Sequence, residues 1–399
     1  MNAPRPTTEN IHKRMPAFRP RELVRDHKLI AAIFILGLFV TVLRFTQGLG
    51  AVTNLDDNYP WGIWISFDLL CGVALAAGGF ATTAAYYLFG LKGFRTAARP
   101  AVTSAFLGYL FVVVALHYDV GQPWRLVYPI FVSQGTTSIL FEVGLCVFLY
   151  LTVLFVEWSV SAFEWLGWNT LRNRIVRLTI PLTVLGVILS TMHQSSLGAL
   201  YLIAPSKMHP LWYSPFIPVF FFISSIFAGM SMVIFEGSLA HKGLHDQMDE
   251  AHVRGADNIM LGFGKACSIV LMGYFVIRIY GVAMENAWSH LATGYGLLFL
   301  VELIGFTALP SFLYAFGVRE KNVGVIKIAA VLTVFGVALN RFIVSLVAFN
   351  YALPPAEKYV PFWMEIVISL FIVAMIVTAY RFICTFMPVL RDHPDYESH

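Results

Sequence analysis

This 399-residue sequence has little charge and very little cysteine. Lys, Arg, Asp and Glu together supply 13% of it, about half of what a soluble domain carries. So few charged groups cannot cover an ordinary aqueous surface, which excludes a soluble globular protein. The charges also nearly cancel, 27 basic against 23 acidic for a net +4, and the basic residues fall in scattered short groups. That pattern excludes a nucleic-acid-binding face. The four cysteines, Cys71, Cys146, Cys267 and Cys384, are far apart, each inside an apolar run, and no C-x-x-C or C-x-x-C-H occurs. A disulfide scaffold, an iron–sulfur cluster of the chain's own and a c-type haem are therefore excluded. Any electrons handled here come from a bound partner or a ligand.

What the chain does have is apolar length. Hydrophobic residues make up 58% and the mean hydropathy is +0.72, which places the chain in a bilayer. A membrane helix needs about 20 apolar residues, and ten such runs are present, at 29–47, 61–89, 101–118, 137–157, 177–199, 216–239, 260–283, 293–317, 325–348 and 361–386. The expected fold is an all-α, polytopic bundle of ten transmembrane helices over 29–386, with tails at 1–28 and 387–399. Pro60, Pro100 and Pro361 are expected to precede helices, where a missing N–H costs nothing, and Pro181 and Pro310 to kink them. The first apolar run follows a polar, basic segment without a small-residue cleavage site, so it reads as a retained helix behind a disordered tail.

The loops fix an orientation. Alternate junctions carry Lys92, Arg95 and Arg99, then Arg172, Arg174 and Arg177, then Lys242 and Arg254, then Arg319, Lys321 and Lys327. The intervening junctions carry only Arg125, Lys207 and Lys358. By the positive-inside rule both termini are cytoplasmic, in a bacterial inner membrane. Trp61, Trp64, Trp124, Trp212, Trp288 and Trp363 fall at the outer junctions, as an aromatic belt or a docking face.

An ionisable group in hydrocarbon costs several kcal/mol unless it is paired or faces a cavity. Nine within the runs are read as site candidates: Arg44, Asp68, Glu142, His193, Glu236, Arg278, Glu302, Arg341 and Glu365. Counted along their helices, all but Glu236 fall in the outer half of the bilayer. Arg44, Arg278, Arg341, Glu302 and Glu365 read as structural ion pairs. The surplus acids and the histidine point to a polar cavity opening outward. Ser190, His193 and Gln194 share one helix face, and an imidazole beside an amide suits a quinone carbonyl and its proton. His117 and His193 permit one haem at most, short of the four-histidine pattern of quinone-reducing cytochromes, so a haem b is not expected.

Several motifs occur in order along the chain: Pro60-Trp61-Gly62-Ile63-Trp64-Ile65-Ser66-Phe67-Asp68, Ser138-Ile139-Leu140-Phe141-Glu142, Thr191-Met192-His193-Gln194-Ser195-Ser196-Leu197-Gly198, His209-Pro210-Leu211-Trp212 and Ile234-Phe235-Glu236-Gly237-Ser238. They resemble the NrfD/PsrC family of quinone-interacting membrane subunits, most of all its ten-helix HybB-type branch found with periplasm-facing nickel–iron hydrogenases. Tyr118–Trp124 and Leu346–Asn350 extend the resemblance. Gln122 departs from it, standing where such proteins often have arginine.

The resemblance implies a pair of four-helix bundles with flanking helices, and menaquinone or ubiquinone as bound substrate. The partners it implies are a periplasmic iron–sulfur ferredoxin-like subunit and the large and small hydrogenase subunits. It further implies proton-path roles for Glu142, His193 and Glu236. On this reading the quinone head group is expected near His193, Gln194, Asp68, Glu142, Asp119 and Trp124. A DsrP-type subunit of a sulfur-metabolism complex, a secondary transporter and a structural anchor are the competing readings.

Overall fold

The computed structural model describes residues 28–391. Residues 1–27 and 392–399, which hold most of the two expected tails, lie outside the described residues. Within them, ten helices are long and apolar enough to cross a bilayer: α1 Lys28–Gln47, α2 Trp64–Leu88, α3 Lys92–Asp119, α4 Ile139–Leu166, α5 Thr179–Ile203, α6 Ile217–Gly243, α7 Glu250–Met284, α8 Gly294–Arg319, α9 Val323–Val347 and α10 Trp363–Phe386. Successive helices alternate direction, giving the bundle a basic end, at the junctions rich in Lys and Arg, and an aromatic end opposite.

Helices α2 to α5 pack in sequence and close on each other, as do α6 to α9, forming two four-helix bundles. The bundles meet where α2 crosses α6 at glycine: a Cβ on Gly229 would lie 2.3 Å from the Gly78 backbone nitrogen. Only glycine allows that approach, the usual means of close packing where lipid supplies no hydrophobic drive. The flanking pair α1 and α10 pack together, and α10 also lies on α3.

Three helices are longer than their apolar runs, because charged residues extend them at the basic end. Glu164, in the last turn of α4, accepts from both terminal nitrogens of Arg99 at 2.9 Å and from Arg172 Nε at 3.0 Å. These bonds tie α3, α4 and the short helix Asn169–Val176 together. Gly167, at φ 73°, then ends α4 in the left-handed conformation that glycine adopts freely. Asp249 caps α7 ten residues before its apolar run, accepting from the His252 N–H at 2.9 Å.

The prolines and tryptophans correct the sequence reading in part. Pro100 lies inside α3 rather than before it. Pro181 falls in the first turn of α5, where no intrahelical N–H is needed, so it imposes no break. Pro310 follows a wide, π-type turn over Val301–Ala308 that absorbs its missing donor. Trp124, Trp288 and Trp363 are exposed, as a belt requires, but Trp64 and Trp212 are fully buried. Their indoles serve polar interior groups: Trp64 donates to the Glu365 carbonyl at 3.0 Å and Trp212 to Glu302 Oε2 at 2.7 Å.

Candidate functional site

Wide turns shape the aromatic end. They occur at Trp64–Cys71 in α2, Val301–Ala308 in α8 and Ile343–Val347 in α9, and carry Asp68, Glu302 and Ser345 respectively. Such turns re-aim side chains and are frequent at functional sites. Around them the expected residues separate into three groups.

The first group lies inside the α2–α5 bundle. His193 is fully buried on α5, with Nδ1 3.3 Å from the Tyr109 hydroxyl of α3. Gln194 donates to the Val73 carbonyl of α2 at 2.9 Å. His193 Nε2 and Gln194 Oε1 are buried with no protein partner, and so are the hydroxyls of Ser190, Tyr150 and Tyr201. Orphaned polar atoms in a bilayer cost several kcal/mol each. Their concentration around one imidazole marks a place where water or a ligand completes the bonding. Glu142 is half-buried nearby, its Oε1 accepting from Ser196 on α5 at 2.7 Å.

The second group joins α1, α2, α3 and α10. Asp68 Oδ2 accepts from Ser369 at 2.7 Å. Glu365 accepts the Asn54 and Phe362 N–H groups, each at 3.0 Å, and the Tyr359 hydroxyl. Burial, the bond to Glu365 and that carboxylate's charge all push the Tyr359 hydroxyl above its ordinary range. Asp119 is within electrostatic reach of Arg44, Glu365 and Asp68, and its Oδ1 is buried without a partner.

The third group is a charged network among the α6–α9 helices, in which Arg278 Nη2 and Arg341 Nε are buried without a hydrogen bond. Glu302 accepts from Trp212 and from Asn340, each at 2.7 Å, and lies 3.2 Å from Arg278. Arg341 donates to Asn340 Oδ1 and to Ser224, each at 2.7 Å, and stacks 3.9 Å over Phe221.

These positions revise the expected pairing. Arg278 and Glu302 meet as an ion pair, whereas Arg44, Arg341 and Glu365 find other partners. Arg44 donates to the carbonyls of Tyr118 and Val120 at 2.7 and 2.8 Å, because the end of α3 offers acceptors with no helical donor. Trp124 is 69% exposed on the loop after α3, so it does not join the His193 group. Glu236 stands apart, lining a cavity of about 80 Å³ near the basic end with Thr96, His241 and Tyr380. Tyr109 and Tyr150 escaped the sequence search because tyrosine counts as apolar in a hydropathy window. Ser369 escaped because a single serine in a span is common.

Over these groups, the loops of the aromatic end form a cover. His209 donates its backbone N–H to the Ala348 carbonyl at 2.9 Å, and its ring packs 4.6 Å from Tyr295 and 4.8 Å from Tyr351. Burial, aided by His290, lowers its pKa from 6.5 to about 4. Between those values the unfolded chain binds a proton that the folded chain refuses, so unfolding becomes easier as pH falls through that window. The unfolding midpoint of detergent-solubilised protein is expected to drop between pH 6.5 and 4 for this reason. In His209→Phe the drop should be smaller, and an equal drop in both proteins would remove His209 as its source.

The comparisons bear on this geometry. A family model described as polysulphide reductase, NrfD, matches residues 51–351. The chain belongs to the NrfD family. The match takes in α2 to α9, the whole of both four-helix bundles. Among similar proteins, one from Nitratidesulfovibrio vulgaris is 67% identical over 365 residues, covering 92% of this chain and 94% of that one. The probable Ni/Fe-hydrogenase 2 b-type cytochrome subunit of Escherichia coli is 31% identical over 381 residues, covering 93% and 95%. The menaquinone reductase integral membrane subunit of Nitratidesulfovibrio vulgaris is 26% identical over 390 residues, covering 90% of each. This NrfD-family chain is thus a multi-pass integral membrane protein.

One of those names invites a test for haem b. Bis-histidine ligation needs two imidazoles bare on one large cavity. His193 lies level with Tyr109 of α3, whose hydroxyl is 3.3 Å from its Nδ1, whereas His117 is eight residues and about 12 Å further along that helix, so the two imidazoles cannot share one iron. These residues do not fit a haem.

Proposed function

We propose that this NrfD-family chain is the quinone-reactive membrane subunit of an oxidoreductase complex. Its basic end faces the cytoplasm of a bacterial inner membrane. At the aromatic end an iron–sulfur ferredoxin-like partner, fed by a nickel–iron hydrogenase or a related enzyme, passes electrons to menaquinone or ubiquinone. One observation carries the reading: His193 Nε2 and Gln194 Oε1 are buried side by side on α5 and lack a protein partner. An imidazole N–H there can donate to a quinone oxygen and then supply its proton. The names of the hydrogenase and menaquinone reductase relatives point the same way.

The division of labour follows from the contacts. His193, held by Tyr109, donates to the quinone oxygen. Gln194, anchored on α2, positions the ring. Asp68, Asp119 and Glu142 keep the surroundings polar and hold protons close to the outer surface. Both carboxylate oxygens of Glu302 are filled, so its network serves as a rigid partner bundle rather than a reaction centre. The loop cover, with exposed Trp124, Trp288 and Trp363 around its rim, is the docking face for the electron-donating subunit.

Purification from native membranes under mild detergent tests the assignment. The expected product is a complex that shows iron–sulfur absorbance and yields extractable quinone. A chain that purifies alone and free of quinone points instead to a transporter. A complex without quinone points to an anchor.

A further inference from the structure

Beyond the quinone reading, which it specifies and on which it rests, we propose that the protons consumed at His193 enter through Glu157. From there they travel along the seam between α4 and α5 by way of Tyr150 and Ser190. Glu157 lies on α4 and lines a cavity of about 320 Å³ at the basic end of the first bundle. Its Oε1 accepts from Thr183 of α5 at 3.2 Å. An acid kept there for stability would be expected to take a cation. The nearby Arg99 and Arg172 instead both bind Glu164, two turns further on.

Seven residues back along α4 and seven forward along α5, about 10 Å deeper at 1.5 Å per residue, come Tyr150 and Ser190. The Ser190 hydroxyl lies close to the hydroxyls of both Tyr150 and Tyr109, and Tyr109 reaches His193 Nδ1 at 3.3 Å. Although close together, the buried hydroxyls of Tyr150 and Ser190 make no well-formed hydrogen bond. Between the two levels α5 presents Gly186, whose missing side chain would have met Tyr150 at 3.4 Å. The Tyr150 ring packs on that glycine, and waters threaded past it between α4 and α5 would join Glu157 to Tyr150 and satisfy the orphaned hydroxyls. Glu236, by contrast, lines a different cavity, which Glu157 does not border.

The step balances. Quinone takes two electrons from the iron–sulfur partner and two protons, and becomes quinol. For each proton, His193 gives up the one on Nε2 to the reduced quinone oxygen and gains one at Nδ1 from Tyr109. Tyr109 is refilled through Ser190, Tyr150 and Glu157 from the aqueous phase at the basic end. The neutral imidazole then turns about its Cβ–Cγ bond to bring the new N–H to the quinone side, and turns back once that proton is delivered. Electrons from one side and protons from the other make the reaction electrogenic, worth about 2.3 kcal/mol per charge for each 100 mV.

The test uses the intact complex in liposomes, with reduced viologen feeding the partner and quinol formation counted per assembled complex. Glu157→Gln is expected to slow quinol formation at least tenfold, to increase its solvent deuterium isotope effect and to abolish the membrane potential. Glu157→Asp should recover much of the rate. Gly186→Val, which presses on the Tyr150 ring without removing a titratable group, is expected to slow quinol formation as well. Wild-type rate and potential in Glu157→Gln overturn the proposal, as does a block in Glu236→Gln with none in Glu157→Gln. A wild-type complex that forms no quinol at all instead overturns the quinone reading beneath it.

Discussion

Replacing His193 by leucine is expected to cut quinol formation by at least ~10²-fold, the usual scale for losing a positioned proton donor. Oxidation of the electron donor by a soluble dye should continue in the same membranes. The two readouts separate the chemistry at this chain from that of its partner. The side chain has no surface exposure and its Nδ1 already has Tyr109, so what leucine removes is the free Nε2 and the relay behind it. His193→Gln keeps a donor of similar reach without the proton relay. It should retain quinone binding while remaining slow. Loss of dye oxidation together with quinol formation would mean that His193 supports assembly. Retention of both would remove it from the reaction.

The second large effect is on stability. Glu302→Leu is expected to cost on the order of 4 kcal/mol. It leaves Arg278 buried without its carboxylate, and it strips acceptors from Trp212 and Asn340. Little of the variant should accumulate in membranes, and its thermal midpoint in detergent should fall sharply. Replacing Arg278 by leucine as well removes the uncompensated charge. The double variant is therefore expected to regain a large part of the loss, because an apolar pair often substitutes for a buried ion pair with little cost. A double variant no better than Glu302→Leu alone would place the cost in Trp212 and Asn340 instead.

Much of this molecule is legible in its apolar runs. Ten runs gave ten helices because hydrocarbon leaves a backbone no other way to satisfy its polar groups except a closed barrel. The ends were less legible. Arg99, Glu164 and Arg172 look like loop charges in a hydropathy window, yet they bind one another and carry α3 and α4 past the bilayer edge. The site was legible as a level but not as a set of contacts. Helix counting puts His193, Asp68 and Glu142 in the outer half of the bilayer, yet depth says nothing about which helix a side chain faces. Asp68 turned out to serve α10 through Ser369, and Arg44 to serve carbonyls at the end of α3. Wide turns at Asp68 and Glu302 shift the helical phase, so face assignments made at 3.6 residues per turn fail there. Glu157 was overlooked at the edge of its run, and the structure joins it to Thr183 at 3.2 Å on the cavity wall.

Photolabelling native membranes with an azidoquinone, followed by peptide mapping of this chain, locates the bound quinone directly. Label on the α5 segment Ser190–Ser196, with further label on α2 between Trp64 and Leu70, is the expected result, and excess unlabelled menaquinone should suppress it. Label confined to the basic end, on the cavity walls around Glu157 or Glu236, would contradict a quinone site at His193.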